Sequence, residues 1–251
     1  EVYMSLIEGD TIAIRNSRKV AAWGVHLFTA SGVAWGFLAL LAIQNHDWLL
    51  TFLWMAIAVA VDSLDGTLAR RLQVKGALPG FDGALLDNVV DYLTYVVVPA
   101  FFLVEADLFP PQLATTGAVL ILLASAYQFC QADAKTEDHF FTGFPSYWNV
   151  VVLYLFLWGL SPQVNLAIVI VLVILVFVPV RYIYPSRTQA YRHVTLAVLS
   201  VWGVLTVAAL AQHPRVAPWV MLGSMLCISY YVALSLYLSV GADRRRQLQS
   251  K

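Results

Sequence analysis

Long apolar stretches separated by short polar connections run along the chain from about residue 21 onward. A bilayer core is about 30 Å thick, and about 20 apolar residues in a helix cross it. Eight stretches approach this length, although the fifth is short and the sixth and seventh are closely coupled. The pattern predicts an all-α integral membrane protein, a bundle of about eight transmembrane helices. The predicted spans are residues 21–43, 49–69, 84–104, 113–131, 144–160, 163–183, 194–211 and 217–240.

The composition agrees with a membrane protein. Of the 251 residues, 60% are hydrophobic and only 12% are charged, which is unusual for a soluble domain. The spans leave little chain for a separate soluble domain. We therefore expect a single membrane-embedded domain over residues 1–251, with residues 1–20 as a juxtamembrane segment and 241–251 as a basic tail. A short surface helix and a frayed end both fit the juxtamembrane segment.

The positive charges lie almost entirely on one side of the predicted spans. The chain has fifteen Lys and Arg residues, and only Arg215 falls in a connection on the opposite side. Short cytoplasmic connections are enriched in Lys and Arg, so this asymmetry places both termini in the cytoplasm. Termini on one side also require an even number of spans.

Two aspartates interrupt the end of the second span. Asp62 and Asp65 are three residues apart, and Gly66 and Ala69 continue the same helical face. Ionisable groups inside a span are costly, and those that occur usually face a cavity, a partner or an ion. This face therefore combines two carboxylates with two very small residues beside them.

The third span begins with a matching pattern. Gly83, Asp87 and Asp91 repeat every four residues and so share one helical face. Any one aspartate taken alone is more simply a helix cap or a solvated charge, and Asp82 and Asp87 suit the positive end of a helix dipole. The ordered set of two faces favours a site instead.

If these two faces meet, four carboxylates converge at the cytoplasmic end of the bundle. Such close like charges need compensation, and divalent cations supply it. Oxygen ligands suit Mg²⁺ or Mn²⁺, and a Mg²⁺ ion is often shared with substrate phosphates. The small residues Gly66, Ala69 and Gly83 leave space for a bulky ligand. Arg70 adds a positive charge for a phosphate or for one of the aspartates.

These residues resemble the signature of the CDP-alcohol phosphotransferases, integral membrane enzymes of phospholipid synthesis. The signature is D-x-x-D-G-x-x-A-R at residues 62–70, then twelve residues, then G-x-x-x-D-x-x-x-D at 83–91. The resemblance implies that metal is held by Asp62, Asp65, Asp87 and Asp91, with Asp91 also the catalytic base. It implies that the cytidine diphosphate is bound by Asp62, Gly66, Ala69, Arg70 and Gly83.

The twelve-residue spacer "RLQVKGALPGFD" is longer than in most members of that family. It resembles the spacer of the bacterial phosphatidylcholine synthases, as do "AAWGVHLFTASGVAWGFLAL" and "GFPSYWNVVVLYLF". This resemblance implies metal-dependent transfer of the phosphatidyl group from CDP-diacylglycerol to choline, with release of CMP. It also implies a multi-pass protein of the bacterial inner membrane that contacts membrane lipids, forms a homodimer and binds no nucleic acid.

Choline carries a quaternary ammonium, which aromatic faces and a nearby carboxylate bind. Aromatic and acidic residues on the predicted cytoplasmic side are the candidates, although Tyr and Trp at this depth commonly form an interfacial belt. The choline candidates are Tyr127, Asp138, Tyr147, Trp148 and Tyr182. Arg181 and Arg187 are candidates for a phosphate or lipid headgroup, although charge asymmetry across the membrane also explains them.

Three alternatives stay open. A related enzyme could use serine, glycerol phosphate or inositol phosphate as the acceptor. A cation-coupled transporter would also place carboxylates in spans, but its sites usually lie at the midplane between related halves. A structural scaffold would leave the aspartates without a role. His26 and His193 form no metal-binding spacing and are interpreted as hydrogen-bonded packing residues.

Overall fold

The computed structural model describes residues 2–131, 140–183 and 191–249, and most of these residues are helical. Five helices in the described part are long and apolar enough to cross a membrane. They are Asn16–Gln44, Trp48–Arg71, Gly83–Glu105, Arg192–Gln212 and Pro218–Ser239. The protein is therefore a multi-pass, all-α membrane protein.

Three further apolar helices correspond to the fourth, fifth and sixth predicted spans. They are Ala114–Cys130, Trp148–Trp158 and Pro162–Phe177, each 10–17 residues long. Each of the eight predicted apolar segments thus forms a helix, but only five of these helices reach the length of a full crossing. Eight crossings therefore remain a prediction.

The chain divides into two compact units, Glu1–Glu105 and Ala106–Lys251, which we describe separately. The first unit contains five α-helices and one π-helical segment. They are α1 (Val2–Gln44), α2 (Trp48–Arg71), α3 (Val74–Ala77), α4 (Gly83–Asp91), the π-helical segment Tyr92–Val97 and α5 (Val98–Glu105). The third predicted span is thus one continuous helical rod with a wider turn in its middle.

Helix α1 begins at Val2 and continues without a break to Gln44. From Val2 onward, the predicted juxtamembrane segment is therefore helical and continues directly into the first span. The next helix has a defined start, because the Asp47 side chain accepts a hydrogen bond from the Leu50 N–H at 3.1 Å. Such an N-cap stabilises a helix by about 1 kcal/mol.

Helix α1 packs against all the other helices of the first unit. Two glycines on α1 lie against the third span: a Cβ on Gly32 would overlap the side chain of Val90, and one on Gly36 would lie 3.1 Å from Leu93 Cδ2. The missing side chains let the two helices approach closely, as small residues do in many membrane bundles. This close packing sets the position of the helix that carries Asp87 and Asp91.

In residues 106–131, 140–183 and 191–249, the second unit forms five helices and two short strands. They are α6 (Ala114–Cys130), β1 (Phe140–Thr142), α7 (Trp148–Trp158), α8 (Pro162–Phe177), β2 (Arg181–Ile183), α9 (Arg192–Gln212) and α10 (Pro218–Gln249). The strands pair antiparallel, with Phe140 opposite Ile183 and Thr142 opposite Arg181.

The prediction that the sixth helix continues to residue 183 is wrong. Helix α8 ends at Phe177, and Val178 is already extended with φ −89° and ψ 123°. Pro179 follows directly, and proline disfavours a helical conformation in the residue before it. Residues Arg181–Ile183 instead form β2, and the Ile183 N–H donates to Ser235 Oγ of α10 at 3.2 Å.

Candidate active site

The predicted meeting of the second and third spans occurs in the first unit. Asp62 of α2 and Asp87 and Asp91 of α4 each offer a carboxylate oxygen, and these three oxygens lie within 4.8 Å of one another. All three residues are half-buried. The three carboxylates are placed by two regular helices, so their positions depend on how α2 and α4 each pack against α1 rather than on a loop.

Asp65 is not part of this close group. It lies one turn beyond Asp62 on α2 and is buried, with 6% of its surface exposed. The structure thus brings three of the four predicted metal ligands together. A role for Asp65 as the fourth ligand remains a prediction.

Asp82 caps helix α4. Its carboxylate accepts hydrogen bonds from the backbone N–H groups of Ala84 and Leu85, both at 3.0 Å. The alternative interpretation of Asp82 as a residue of the helix N-terminus is therefore confirmed. This cap fixes the start of the helix that presents Asp87 and Asp91.

Tyr95, which was not among the predicted site residues, lies at the carboxylate cluster. The Tyr95 hydroxyl donates a hydrogen bond to Asp62 Oδ2 at 2.7 Å. Tyr95 lies in the π-helical segment directly after Asp91. A signal for it was present in the sequence, since the four-residue interval that joins Asp87 to Asp91 continues to Tyr95.

Arg70 lies over Gly66 on the surface of α2. A Cβ on Gly66 would lie 3.2 Å from Arg70 Nη1, so this glycine leaves room for the guanidinium. Arg70 Nη2 donates to Thr67 Oγ1 at 3.1 Å. Arginine carries five N–H donors, and only this hydrogen bond to a side chain is found for Arg70 among the described residues. The predicted contact from Arg70 to an aspartate is therefore absent from that part of the chain.

Gly83 lies against the imidazole of His26. A Cβ on Gly83 would lie 2.7 Å from His26 Cε1, so a larger residue would collide with the ring. His26 also packs on Phe81, with ring centroids 4.4 Å apart. The packing role predicted for His26 is confirmed, but its Nε2 is buried without a hydrogen-bond partner in the described part of the chain. The predicted hydrogen bond is therefore missing at this nitrogen.

The spacer between the two halves of the signature folds back on α1. It contains the short helix α3, whose Val74 forms a buried cluster with Ala22 and Val25 of α1. Ala69 of the signature packs against this cluster, so its small side chain contacts other residues of the protein. Arg18 Nη2 also donates to Gln73 Oε1 of the spacer at 2.8 Å. These contacts give the long spacer a defined structure.

The choline candidates that can be located lie in the second unit, in different surroundings. Trp148 is fully buried and donates its indole N–H to Ser125 Oγ at 2.8 Å, which makes it part of the packing between α6 and α7. Tyr127 is 48% exposed and packs on Phe177, with ring centroids 5.0 Å apart. Asp138 lies outside the described residues.

Tyr147 and Tyr182 lie around the strand β2. The ring of Tyr147 is 6.5 Å from that of Tyr231, whose hydroxyl donates to the Ile183 carbonyl at 3.1 Å. Tyr182 is next to Ile183 on β2, and burial raises the pKa of its phenol. Tyr231 was not among the predicted site residues, and together with Ser235 it joins α10 to β2. Arg181 is half-buried on the same strand, and Arg187 lies outside the described residues.

The carboxylate cluster fits a hard divalent cation. It offers three oxygen donors from half-buried residues, and their mutual repulsion would fall on binding a positive ion. The described part of the chain gathers no histidine or cysteine with these groups, which makes a zinc or copper site a poorer match. A half-buried cation on the surface of two helices is suited to bind an anionic ligand such as a phosphate.

A helical membrane protein with this signature and this carboxylate cluster belongs to a defined class of enzymes. The sequence model of the CDP-alcohol phosphatidyltransferase family matches residues 25–180 of the chain. The match includes both halves of the signature, from Asp62 to Asp91. The chain is a member of the CDP-alcohol phosphatidyltransferase family.

Curated relatives are similar over nearly the whole chain. A phosphatidylcholine synthase of Legionella pneumophila is 42% identical over 225 residues, which cover 86% of this chain and 88% of the relative. A phosphatidylcholine synthase of Pseudomonas aeruginosa is 40% identical, covering 88% of this chain and 93% of the relative. One of Borreliella burgdorferi is 33% identical, covering 92% and 100%. These matches extend well beyond the residues of the signature.

Proposed function

We propose that the protein is a CDP-diacylglycerol–choline phosphatidyltransferase, which forms phosphatidylcholine and CMP. The observation that carries the chemistry is the convergence of Asp62, Asp87 and Asp91 within the family signature. The choice of choline is supported by the relatives, which bear the name phosphatidylcholine synthase.

The aspartate cluster is the proposed site of Mg²⁺ or Mn²⁺. Asp62, Asp87 and Asp91 would hold the cation, with Asp65 as a further ligand. When bound, such a cation neutralises negative charge on a diphosphate and on the departing nucleotide. Phosphoryl transfer depends mainly on positioning and charge neutralisation, so this protein needs no nucleophilic side chain of its own.

The donor binds along the signature face of α2 and the start of α4. Arg70 is proposed to contact the diphosphate, because its guanidinium has donors beyond the one given to Thr67. Gly66, Ala69 and Gly83 would allow the cytidine diphosphate to lie close to the helix backbones. At Gly83 the ligand would lie beside the His26 ring, which already contacts that position.

Asp91 is the proposed general base. It removes the proton of the choline hydroxyl while the oxygen attacks the phosphorus that carries the diacylglycerol group. The bond from this phosphorus to the bridging oxygen breaks, and CMP leaves with that oxygen and the bonding electrons. The proton stays on Asp91 until product release, so atoms and charges balance in a single transfer.

Aromatic side chains are proposed to bind the quaternary ammonium of choline. Tyr147 and Tyr182 are the better candidates among the located residues, because both lie near β2 and Tyr147 presents its ring beside that of Tyr231. A quaternary ammonium accepts no hydrogen bond, and its attraction to an aromatic face contributes about 0.5–2 kcal/mol per ring. Tyr127 and Asp138 remain weaker proposals, and Trp148 is fully buried.

The proposed setting is the bacterial inner membrane, with both termini and the aspartate cluster on the cytoplasmic side. The distribution of Lys and Arg supports this orientation. Because choline and CMP are water-soluble, the proposed site must be open to an aqueous compartment. A homodimer is part of the proposal through the resemblance alone.

Transfer of labelled choline tests the proposed function. Purified full-length protein is mixed with CDP-diacylglycerol, Mn²⁺ or Mg²⁺ and radiolabelled choline, and lipid label and CMP are measured. We expect equal molar amounts of phosphatidylcholine and CMP, both lost with Asp91→Asn and with a chelator. Transfer to serine, glycerol phosphate or inositol phosphate, without transfer to choline, would replace the proposed acceptor.

A further inference from the structure

Tyr95 bridges the two helical rods that carry the carboxylates. Its hydroxyl donates to Asp62 Oδ2 at 2.7 Å, although the two residues are 33 positions apart in the chain. This distance is near the optimum for an O–H donor, and a hydrogen bond to a carboxylate is stronger than one between neutral groups. The bond is partly buried, so bulk water competes with it less than at an exposed site.

The π-helical segment explains why Tyr95 reaches this position. In an α-helix each residue advances by about 100°, so every four-residue step drifts by about 40° around the axis. Asp87, Asp91 and Tyr95 would therefore spread over about 80° in an uninterrupted α-helix. The wider turn from Tyr92 to Val97 takes more residues per turn and reverses part of this drift. Tyr95 thus stays on the face that the two aspartates share.

The Asp62 carboxylate has the capacity for both a phenol and a cation. An ionised carboxylate has two oxygens and about four lone-pair positions. The bond from Tyr95 uses one of these positions on Oδ2. A carboxylate can therefore accept a hydrogen bond from a phenol and bind a metal ion at the same time, while the phenol limits its rotation.

The hydrogen bond from Tyr95 to Asp62 matters most before the cation binds. Three carboxylates within 4.8 Å repel one another, and this repulsion favours side-chain rotations that increase the separation. A donor on Asp62 opposes that rotation and offsets part of the negative charge. Groups that orient metal ligands in this way commonly change metal affinity by about 10–100-fold when they are removed.

We propose that Tyr95 is a positioning residue that holds Asp62 in the orientation for binding a divalent cation. The inference rests on the proposed function only in taking the aspartate cluster as a cation site. Tyr95 acts through Asp62 and has no part in the transfer itself. The expected effect of losing its hydroxyl is weaker binding of metal, rather than weaker binding of choline.

The test measures Mn²⁺ binding to the full-length protein in detergent without substrates. Free Mn²⁺ is followed by its electron paramagnetic resonance signal during titration of wild type and Tyr95→Phe. We expect Tyr95→Phe to bind about 10–100-fold more weakly. In transfer assays the Mn²⁺ concentration for half-maximal rate should rise by a similar factor, while the KM for choline and the rate at saturating Mn²⁺ stay close to wild type.

A matched control is available in the second unit. Tyr230 also shares a hydrogen bond with a residue of another helix, the Thr195 hydroxyl at 3.2 Å, and the carboxylate cluster includes no residue of that unit. Tyr230→Phe therefore also removes a phenol that bridges two helices, and we expect it to bind Mn²⁺ like wild type. Thermal unfolding without metal checks that both variants are folded.

A second pair of variants separates the donor from the ring. If Tyr95→Phe lowers the unfolding midpoint, Tyr95→Gln is compared with Tyr95→Met instead. The Gln and Met side chains are similar in length, and only Gln has a hydrogen-bond donor. Tighter Mn²⁺ binding by the Gln variant supports the inference. Equal binding by these two variants, or wild-type binding by a folded Tyr95→Phe, overturns it. Wild-type protein that binds no Mn²⁺ overturns the metal site of the proposed function as well, so the two failures are distinguishable.

Discussion

The contact between Gly32 and Val90 provides a sharp test of how α1 positions the site. A Cβ added at Gly32 would overlap Val90 Cγ1 but would lie 3.9 Å from Val90 Cβ, an ordinary contact distance. Valine strongly prefers one χ1 rotamer in a helix, so its methyl group cannot move away without strain. Gly32→Ala should therefore push α4 away from α1.

The sign of the stability change is informative because two effects oppose each other. Alanine is favoured over glycine within a helix by about 0.5–1 kcal/mol. Overpacking in a tight contact costs about 1–3 kcal/mol. The clash should win, with a net loss of about 0.5–2 kcal/mol in the free energy of unfolding. Since Asp91 follows Val90 directly, the transfer rate should fall too.

A double-mutant cycle isolates the clash. Val90 is buried with 5% of its surface exposed, so Val90→Ala alone should cost about 1–3 kcal/mol through lost burial and a cavity. In the double variant the new methyl group meets only the Cβ of residue 90 at 3.9 Å. We therefore expect the double variant to be about 1–3 kcal/mol more stable than the sum of the single changes predicts.

Thermal unfolding in detergent measures this coupling. For a chain of this size each kcal/mol corresponds to about 2–4 °C in the unfolding midpoint. Gly24→Ala is the control, because it lies in the same helix and a Cβ there meets nothing within 4 Å. A Gly32→Ala variant that is as stable as Gly24→Ala, or a cycle without coupling, would refute the reasoning.

Three further predictions follow from other close contacts and from one shifted pKa. Gly83→Ala should lower transfer activity, because its Cβ would lie 2.7 Å from His26 Cε1, and His26→Ala in the same chain should recover part of the loss. Gly117→Ala should lower the unfolding midpoint by several degrees without weakening Mn²⁺ binding, since its Cβ would lie 2.8 Å from Phe109 Cε2 in the second unit. Burial raises the pKa of Tyr182, so the phenol of the unfolded chain loses its proton at a lower pH than the phenol of the folded protein. The free energy of unfolding therefore falls as pH rises above about 10. Tyr182→Phe should flatten that part of a denaturation profile against pH.

The helical periodicity of the aspartates was readable before the fold was known. Residues three or four positions apart share a face of any helix, so Asp62 and Asp65 could be grouped without tertiary information, as could Asp87 and Asp91. The apolar segments were readable for a similar reason, because every backbone polar group in a lipid environment must be satisfied within the helix. Local geometry and solvent chemistry are sufficient for both inferences.

The ends of several elements were not readable in this way. The sixth span was predicted to continue through Pro179 to residue 183, whereas the helix ends at Phe177 and residues Arg181–Ile183 form a strand. The strand exists because Phe140 to Thr142 pairs with it across a long separation in sequence. Apolar residues alone do not distinguish a short strand of this kind from the last turn of a helix.

By itself, the sequence determined the helical membrane class, the family signature and the four aspartates as the candidate metal ligands. Only the tertiary structure decided which carboxylates lie together, that Tyr95 donates to Asp62, and that Gly32 and Gly83 accommodate Val90 and His26. The physical reason is that a helical repeat identifies the face of a residue, while the partner of that face depends on how distant segments pack. The Tyr95 hydroxyl lies 2.7 Å from Asp62 Oδ2, and the three carboxylate oxygens lie within 4.8 Å of one another. These contacts define the chemistry of the site.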